Sequence, residues 1–183
     1  MGHLTLIMGC MFAQKTTEIL RRIRRYQSIG YRVLVINYRG DTRYGTSCIA
    51  SHDKDTFAAI SLEHLDQLEA EHPNILLSDY DVVIIDEGQF FRDLLGFVSK
   101  WVDTLPLHVV VSGLDGDAQR RPFGQMLDLV PHAEEVVRLS AYCASCKDGT
   151  VAHFSKRIIA SSDQVLIGGA DSYIPVCRKH YLG

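Results

Sequence analysis

Gly9-Cys10-Met11-Phe12-Ala13-Gln14-Lys15-Thr16-Thr17 has the spacing of a phosphate loop. In that pattern a glycine, four residues, a second glycine, a lysine and a serine or threonine follow one another. Gly9, Lys15 and Thr16 are in register, and Gln14 stands where the second glycine is expected. Backbone N–H groups of such a loop turn inward on a phosphate chain, the lysine neutralises the β- and γ-phosphates, and the hydroxyl ligates magnesium. If position 14 needs a left-handed backbone, a glutamine there costs on the order of 1 kcal/mol or more. Its side chain would then also stand close to a phosphate. Taken alone, the stretch equally fits a chance Lys-Thr at a helix start.

Two further groups of residues can do chemistry. Asp86-Glu87 follows an apolar run at 82–85, the form of an acidic strand end that holds magnesium directly or through water. Glu87 has the chemistry of a general base for an acceptor hydroxyl. A solvated strand end is the plainer reading of the two acids by themselves. Cys143-x-x-Cys146 and Cys177-x-x-His180 are separated by residues 147–176. Two such pairs can wrap a tetrahedral zinc in three thiolates and one imidazole. Four protein ligands leave no position for a substrate, so this zinc is expected to be structural.

The elements that must position these residues follow from periodicity. Apolar runs at 4–8, 32–37, 80–87, 107–113 and 135–139 read as strands, nearly continuous as in a parallel sheet covered on both faces. Helices are expected at 15–29, 62–71, 90–102 and 124–130. In the first, Ile19, Leu20, Ile23 and Tyr26 share a side, Arg21, Arg22, Arg24 and Arg25 read as a solvated face, and Gly30 ends the helix. Trp101 is expected in the core. Alternating strands and helices give an α/β class with a mainly parallel, phosphate-loop-type sheet flanked by helices. From 142 the cysteines, glycines and short β-prone pieces suggest a small metal-stapled, zinc-ribbon-like lobe.

The 183 residues allow one ordinary domain with at most a small appendage, and 46% hydrophobic against 22% charged residues marks a folded chain. A net charge of −3 argues against a general nucleic-acid binder. No apolar run approaches a membrane span, and the first residues lack the layout of a signal peptide. Five cysteines, three of them in metal-binding pattern, point to a reducing compartment, so a cytoplasmic location is expected.

Together these stretches resemble the type II thymidine kinases of cells, bacteria and viruses, over about residues 2–182. The likeness is carried by the loop at 9–18, Asp41-Thr-Arg-Tyr, Ser51-His-Asp, Asp86-Glu-Gly-Gln-Phe-Phe, Leu114-Asp-Gly, Gln119-Arg-Arg-Pro-Phe-Gly, both metal pairs and Ile167-Gly-Gly-Ala-Asp-Ser-Tyr173. It implies a kinase domain at 1–140 and a zinc lobe at 141–183, whose long loop closes over the nucleoside like a lasso. The implied reaction transfers the ATP γ-phosphoryl to the 5′-hydroxyl of thymidine in nucleotide salvage, with magnesium and structural zinc. Homotetramers or dimers are implied, with dTTP as feedback inhibitor and neither nucleic acid nor membrane as a partner.

Carried over by position, Glu87 is the base, and Lys15 and Arg43 lie by the transferred phosphate. Gly9, Cys10, Met11, Phe12, Ala13, Gln14, Lys15, Thr16, Thr17, Asp86 and Gln89 line the nucleotide, with Thr16 and Asp86 on magnesium. Met11, Phe90, Leu114, Phe123, Ser155, Leu166, Ile167, Gly168 and Tyr173 contact thymidine, and Cys143, Cys146, Cys177 and His180 hold zinc. Gln14, Cys10 (for a usual proline), Ala118 (for a usual phenylalanine), Ser155 (for threonine) and His180 (for cysteine) depart from the family pattern. Gln14 and Ala118 motivate one alternative, a weakened or inactive homologue that serves as a nucleotide-, dTTP-binding or assembly module.

Overall fold

The structure, a computed structural model, describes residues 1–41, 48–50, 56–159 and 171–183. Its first half runs β1 (His3–Gly9), α1 (Lys15–Ser28), β2 (Val33–Tyr38), β3 (Cys48–Ala50), β4 (Thr56–Ala58), β5 (Ile60–Leu62), α2 (Gln67–Glu71) and β6 (Val82–Ile85). The remainder is α3 (Leu94–Thr104), β7 (His108–Gly113), β8 (Glu135–Leu139), β9 (Ala141–Tyr142), β10 (Val151–Ala152), β11 (Phe154–Arg157), β12 (Tyr173–Val176) and α4 (Arg178–Leu182).

Six strands form one sheet in the order β5-β2-β6-β7-β1-β8, and every neighbouring pair is parallel. The period-2 alternation of strand side chains sorts the apolar runs between the two faces. Leu4, Leu6, Met8, Val83, Ile85, Val109 and Val111 face a cluster that includes Leu94, Val98 and Trp101 of α3. Ile7, Val35, Val82, Ile84 and Val110 face Ile19, Leu20 and Ile23 of α1. This double coverage is why the strands are apolar at nearly every position rather than every second one. The parallel register brings Gly9, Asp86 and Leu114, which follow or end β1, β6 and β7, to the same edge.

Among the described residues, antiparallel strands form three two-stranded sheets: β3 with β4, β9 with β10, and β11 with β12. The last two, with α4, surround a small cluster of Cys143, Ala152 and Val176. No helix among the described residues is long and apolar enough to cross a membrane.

Three expected helices differ. Residues 62–71 yield only α2, because Ile60–Leu62 extends the sheet beside Ile36–Tyr38. That edge pairing supplies backbone partners which a helical turn there would give up. The helix expected from residue 90 starts at Leu94, after a 3₁₀ turn at Gly88–Phe90, and its Leu95 N–H is capped by the Gln125 carboxamide at 2.8 Å. Residues 124–130 form turns, with Gly124 at φ 55° and Pro131 inside the 3₁₀ segment Val130–His132.

Arg22 corrects the reading of a uniformly solvated arginine face. Its guanidinium makes a two-pronged contact with the Glu135 carboxylate at 2.8 and 2.9 Å and also donates to Glu18 at 2.8 Å. Glu135 additionally accepts from the fully buried Thr5 hydroxyl, which is 3.0 Å from His108 Nε2. Tyr26, on α1, places its hydroxyl 3.1 Å from His108 Nδ1. This polar seam fastens α1 to β1, β7 and β8 at the end of the sheet remote from the phosphate loop.

Candidate active site

The turn after β1 is tight from its first residue, since a Cβ on Gly9 would overlap the Leu139 carbonyl oxygen of the adjoining strand. The loop then folds back on itself. Ala13 N–H donates to the Cys10 carbonyl at 3.3 Å, and Lys15 Nζ donates to the same oxygen at 3.0 Å. Lys15 is thereby drawn over the loop it would serve. Gln14 has left-handed backbone angles, φ 60° and ψ 33°, as does Phe12 at φ 64°. The Gln14 side chain is exposed, and its carbonyl accepts from Glu18 N–H at 3.0 Å, so the first turn of α1 forms. The first N–H groups of an α-helix lack acceptors within the helix and attract anions.

β6 delivers the acids. Asp86 is buried, and its carboxylate accepts from the Thr16 hydroxyl at 3.2 Å and from Glu87 N–H at 3.0 Å. Burial first, and then the neighbouring Glu87 charge, push the Asp86 carboxyl above its ordinary range, with Lys15 opposing. Thr16 and Asp86 thus present adjoining hard oxygens, the donor type magnesium selects. Glu87 turns out of strand geometry with φ 57°, so the acid next in sequence need not point to the opposite face of the sheet.

Gln89 has a geometry that sequence reasoning missed. Its buried carboxamide donates to Glu87 Oε2 at 2.6 Å and accepts from Leu114 N–H at 3.0 Å. It therefore links the segment after β6 to the end of β7 and holds the Glu87 carboxylate. A Cβ on Gly113 would meet the same carboxamide oxygen at 2.5 Å, which accounts for glycine at the end of β7.

An aromatic wall adjoins the acids. Phe90 stacks on Tyr38 at 4.9 Å between ring centroids and meets Phe123 edge-on at 5.5 Å. Tyr38 escaped the sequence reading; the signal for it was that parallel β2 and β6 pair Ile36 with Ile85, bringing the following residues to the same edge. Leu114, Phe123 and Tyr173 are largely buried. The Tyr173 hydroxyl accepts from Arg157 at 3.0 Å across the β11–β12 hairpin. At Ala118, the carbonyl accepts from the Tyr181 hydroxyl of α4 at 2.7 Å.

The Ser155 hydroxyl, expected among the nucleoside contacts, accepts from Met11 N–H at 2.9 Å. Beside it the Cys10 thiol, held protonated by burial, donates to the Ala152 carbonyl at 3.5 Å. Arg43, Leu166, Ile167 and Gly168, with the Ser51-His52-Asp53 motif, lie outside the described residues.

The cysteine pairs converge as their spacing predicts. The ligand atoms of Cys143, Cys146, Cys177 and His180 all lie within 4.8 Å of one another. Cys146 and Cys177 sulfurs are 3.8 Å apart, and His180 Nδ1 is 3.6, 3.3 and 3.4 Å from the three sulfurs. A zinc tetrahedron with ordinary bond lengths has edges of about 3.8 Å between sulfurs and about 3.5 Å from sulfur to nitrogen. The set therefore fits zinc. Cys177 N–H donates to Cys143 Sγ at 3.3 Å, a contact that favours the thiolate.

The family model described as thymidine kinase matches residues 2–181. A thymidine kinase of Monkeypox virus is 44% identical over 182 residues, covering 99% of this chain and 97% of the relative. One from Variola virus has the same identity and coverage. A thymidine kinase of Vaccinia virus (strain Ankara) is 43% identical over 183 residues, covering 100% of this chain and 98% of the relative.

Proposed function

The chain belongs to the thymidine kinase family, and from that premise we propose that it transfers the γ-phosphoryl group of ATP to the 5′-hydroxyl of thymidine, giving dTMP for nucleotide salvage. The observation that carries this reading is the meeting of Lys15, Thr16, Asp86 and Glu87 at one edge of the sheet, linked by the Thr16–Asp86 hydrogen bond.

Lys15 and the first N–H groups of α1 would hold the phosphates. Thr16 and Asp86 would hold magnesium, which when bound neutralises charge on the transferred group. Glu87, kept in place by Gln89, would take the proton of the acceptor hydroxyl as its oxygen bonds to the γ-phosphorus and ADP departs. Phe90 and Phe123, with Tyr38 behind Phe90, offer flat apolar surface suited to a methylated pyrimidine. We assign Arg43 to the transferred phosphate, and Leu166, Ile167, Gly168 and Tyr173 to the nucleoside, on the family pattern alone.

On the same basis we propose a kinase unit at 1–140 carrying a zinc lobe at 141–183, a homotetramer or dimer, feedback inhibition by dTTP, and a cytoplasmic location. The alternative of a weakened binding module finds no support in the relatives, each of which is named a thymidine kinase. A coupled assay of zinc-replete protein with Mg-ATP and thymidine tests the proposal. Turnover dependent on both substrates is expected; ATP loss without thymidine, or no turnover, overturns it.

A further inference from the structure

We propose that Ser155 is a positioning residue for the phosphate loop, setting the direction of Lys15 through a single peptide group; this rests on the kinase reading above. The peptide between Cys10 and Met11 is a rigid plane, with its C=O and N–H pointing in opposite directions. Both ends are engaged. Met11 N–H donates to Ser155 Oγ at 2.9 Å, and the Cys10 carbonyl accepts from Lys15 Nζ at 3.0 Å. Fixing the N–H from one side fixes the oxygen that the lysine grips on the other.

The anchor is itself immobilised. Ser155 is buried in β11, paired opposite Pro175 of β12. Its neighbour Lys156 donates to the His180 carbonyl at 2.7 Å, and Ala144 N–H donates to the Pro175 carbonyl at 2.9 Å. The Cys10 thiol grips Ala152 on the adjacent β10. The Cys/His cluster thus reaches the phosphate loop through one hydrogen-bonded hairpin, and the hydroxyl at 155 is the last link. Without it the 10–11 peptide is held only by the Ala13 N–H on its carbonyl, and the oxygen that draws Lys15 over the loop is less firmly placed. The effect falls on the phosphate donor before it falls on the nucleoside.

The test uses the full zinc-loaded chain as wild type, Ser155→Ala and Ser155→Thr, titrated calorimetrically with Mg-ATP and, separately, with thymidine. Amide exchange at Met11 is followed in the same samples. For Ser155→Ala, Mg-ATP binding weakens about fivefold, the worth of one net hydrogen bond. Thymidine binding changes less, Met11 exchange quickens, and zinc content stays at the wild-type value; Ser155→Thr restores Mg-ATP affinity. A thymidine loss exceeding the ATP loss, or unaltered Met11 exchange, overturns the inference while the kinase reading stands. A wild type that binds neither ligand overturns the kinase reading, and this inference with it.

Discussion

Asp86-Glu87 and Glu134-Glu135 are both neighbouring acids at the end of a parallel strand, one pair following β6 and the other opening β8, and their surroundings are opposite. Glu135 is pulled down to about 2 by the Arg22 guanidinium, helped by the Thr5 hydroxyl, and Glu134 is lowered chiefly by the Leu4 N–H. Asp86 is raised by burial and by Glu87 beside it. Charge at the β8 end is spent on holding α1 to the sheet. At the β6 end it is confined at the edge where a phosphate and a cation would bind, and the fold carries the cost.

The sharpest division is expected from Glu87→Gln and Glu135→Gln. Glu87→Gln should lower kcat at least about a hundredfold, the usual contribution of a general base, without lowering the urea midpoint, since it removes a charge that burdens Asp86. Glu135→Gln should leave kcat alone and cost about 1 kcal/mol in urea unfolding, a modest figure because the Glu135 side chain is 42% exposed. A Glu87→Gln enzyme keeping most of its turnover would break the comparison.

Asp86→Asn should split stability from activity in the other direction. The folded carboxyl is raised, so between its unfolded and folded pKa values the folded state binds the extra proton. Stability is therefore lost as pH rises through that interval, and at pH 7 the fold bears the burden. Asparagine keeps an acceptor oxygen without the charge. In magnesium-free buffer the variant should be more stable at pH 7 by on the order of 1 kcal/mol, with the gain vanishing below pH 3.8, where both states are protonated. Turnover should fall sharply. Equal stability at every pH would show that Asp86 is not under strain.

The central sheet was legible because buried parallel strands announce themselves as unbroken apolar runs, and the Cys/His cluster because two short spacings suffice to name it. Other features lay in no local pattern. β5 is three residues long, too short for a period, and exists only because β2 offers an edge. Arg22 looked like its exposed neighbours Arg21 and Arg24 until a partner 113 positions away came beside it. Gln89 and Ser155 make bonds to Leu114 and Met11, partners that only the folded chain brings within range.

In an Asp86→Asn background, which removes the opposing gain at the β6 end, acid should act on the β8 end in two steps. His108 is lowered from 6.5 to about 4, first by burial and then by the charges of His3 and Arg22. The unfolded chain takes up this proton before the folded one, so stability declines as pH falls from about 6.5 to 4. Glu135, at about 2 when folded against 4.5, adds a second decline below 4.5. Urea midpoints of that Asp86→Asn background across pH 3–8 should show both, and adding His108→Gln should remove only the upper one. A midpoint flat between pH 7 and 5 would mean that the seam around Thr5 tolerates an imidazolium.

The smallest effect is expected at Gln14. A left-handed glutamine costs about 1–2 kcal/mol, and glycine relieves it while losing about 0.5–1 kcal/mol through greater freedom in the unfolded chain. Gln14→Gly should therefore raise the thermal midpoint by only about 1–3 °C. The side chain is exposed and makes no capping hydrogen bond, so the KM for ATP should stay within about twofold. A tenfold fall in that KM would instead mean that the glutamine side chain obstructs the phosphates. The cost of the missing glycine would then lie in binding, at the β1–β6 edge, where the comparison of the two acid pairs locates the strain of function.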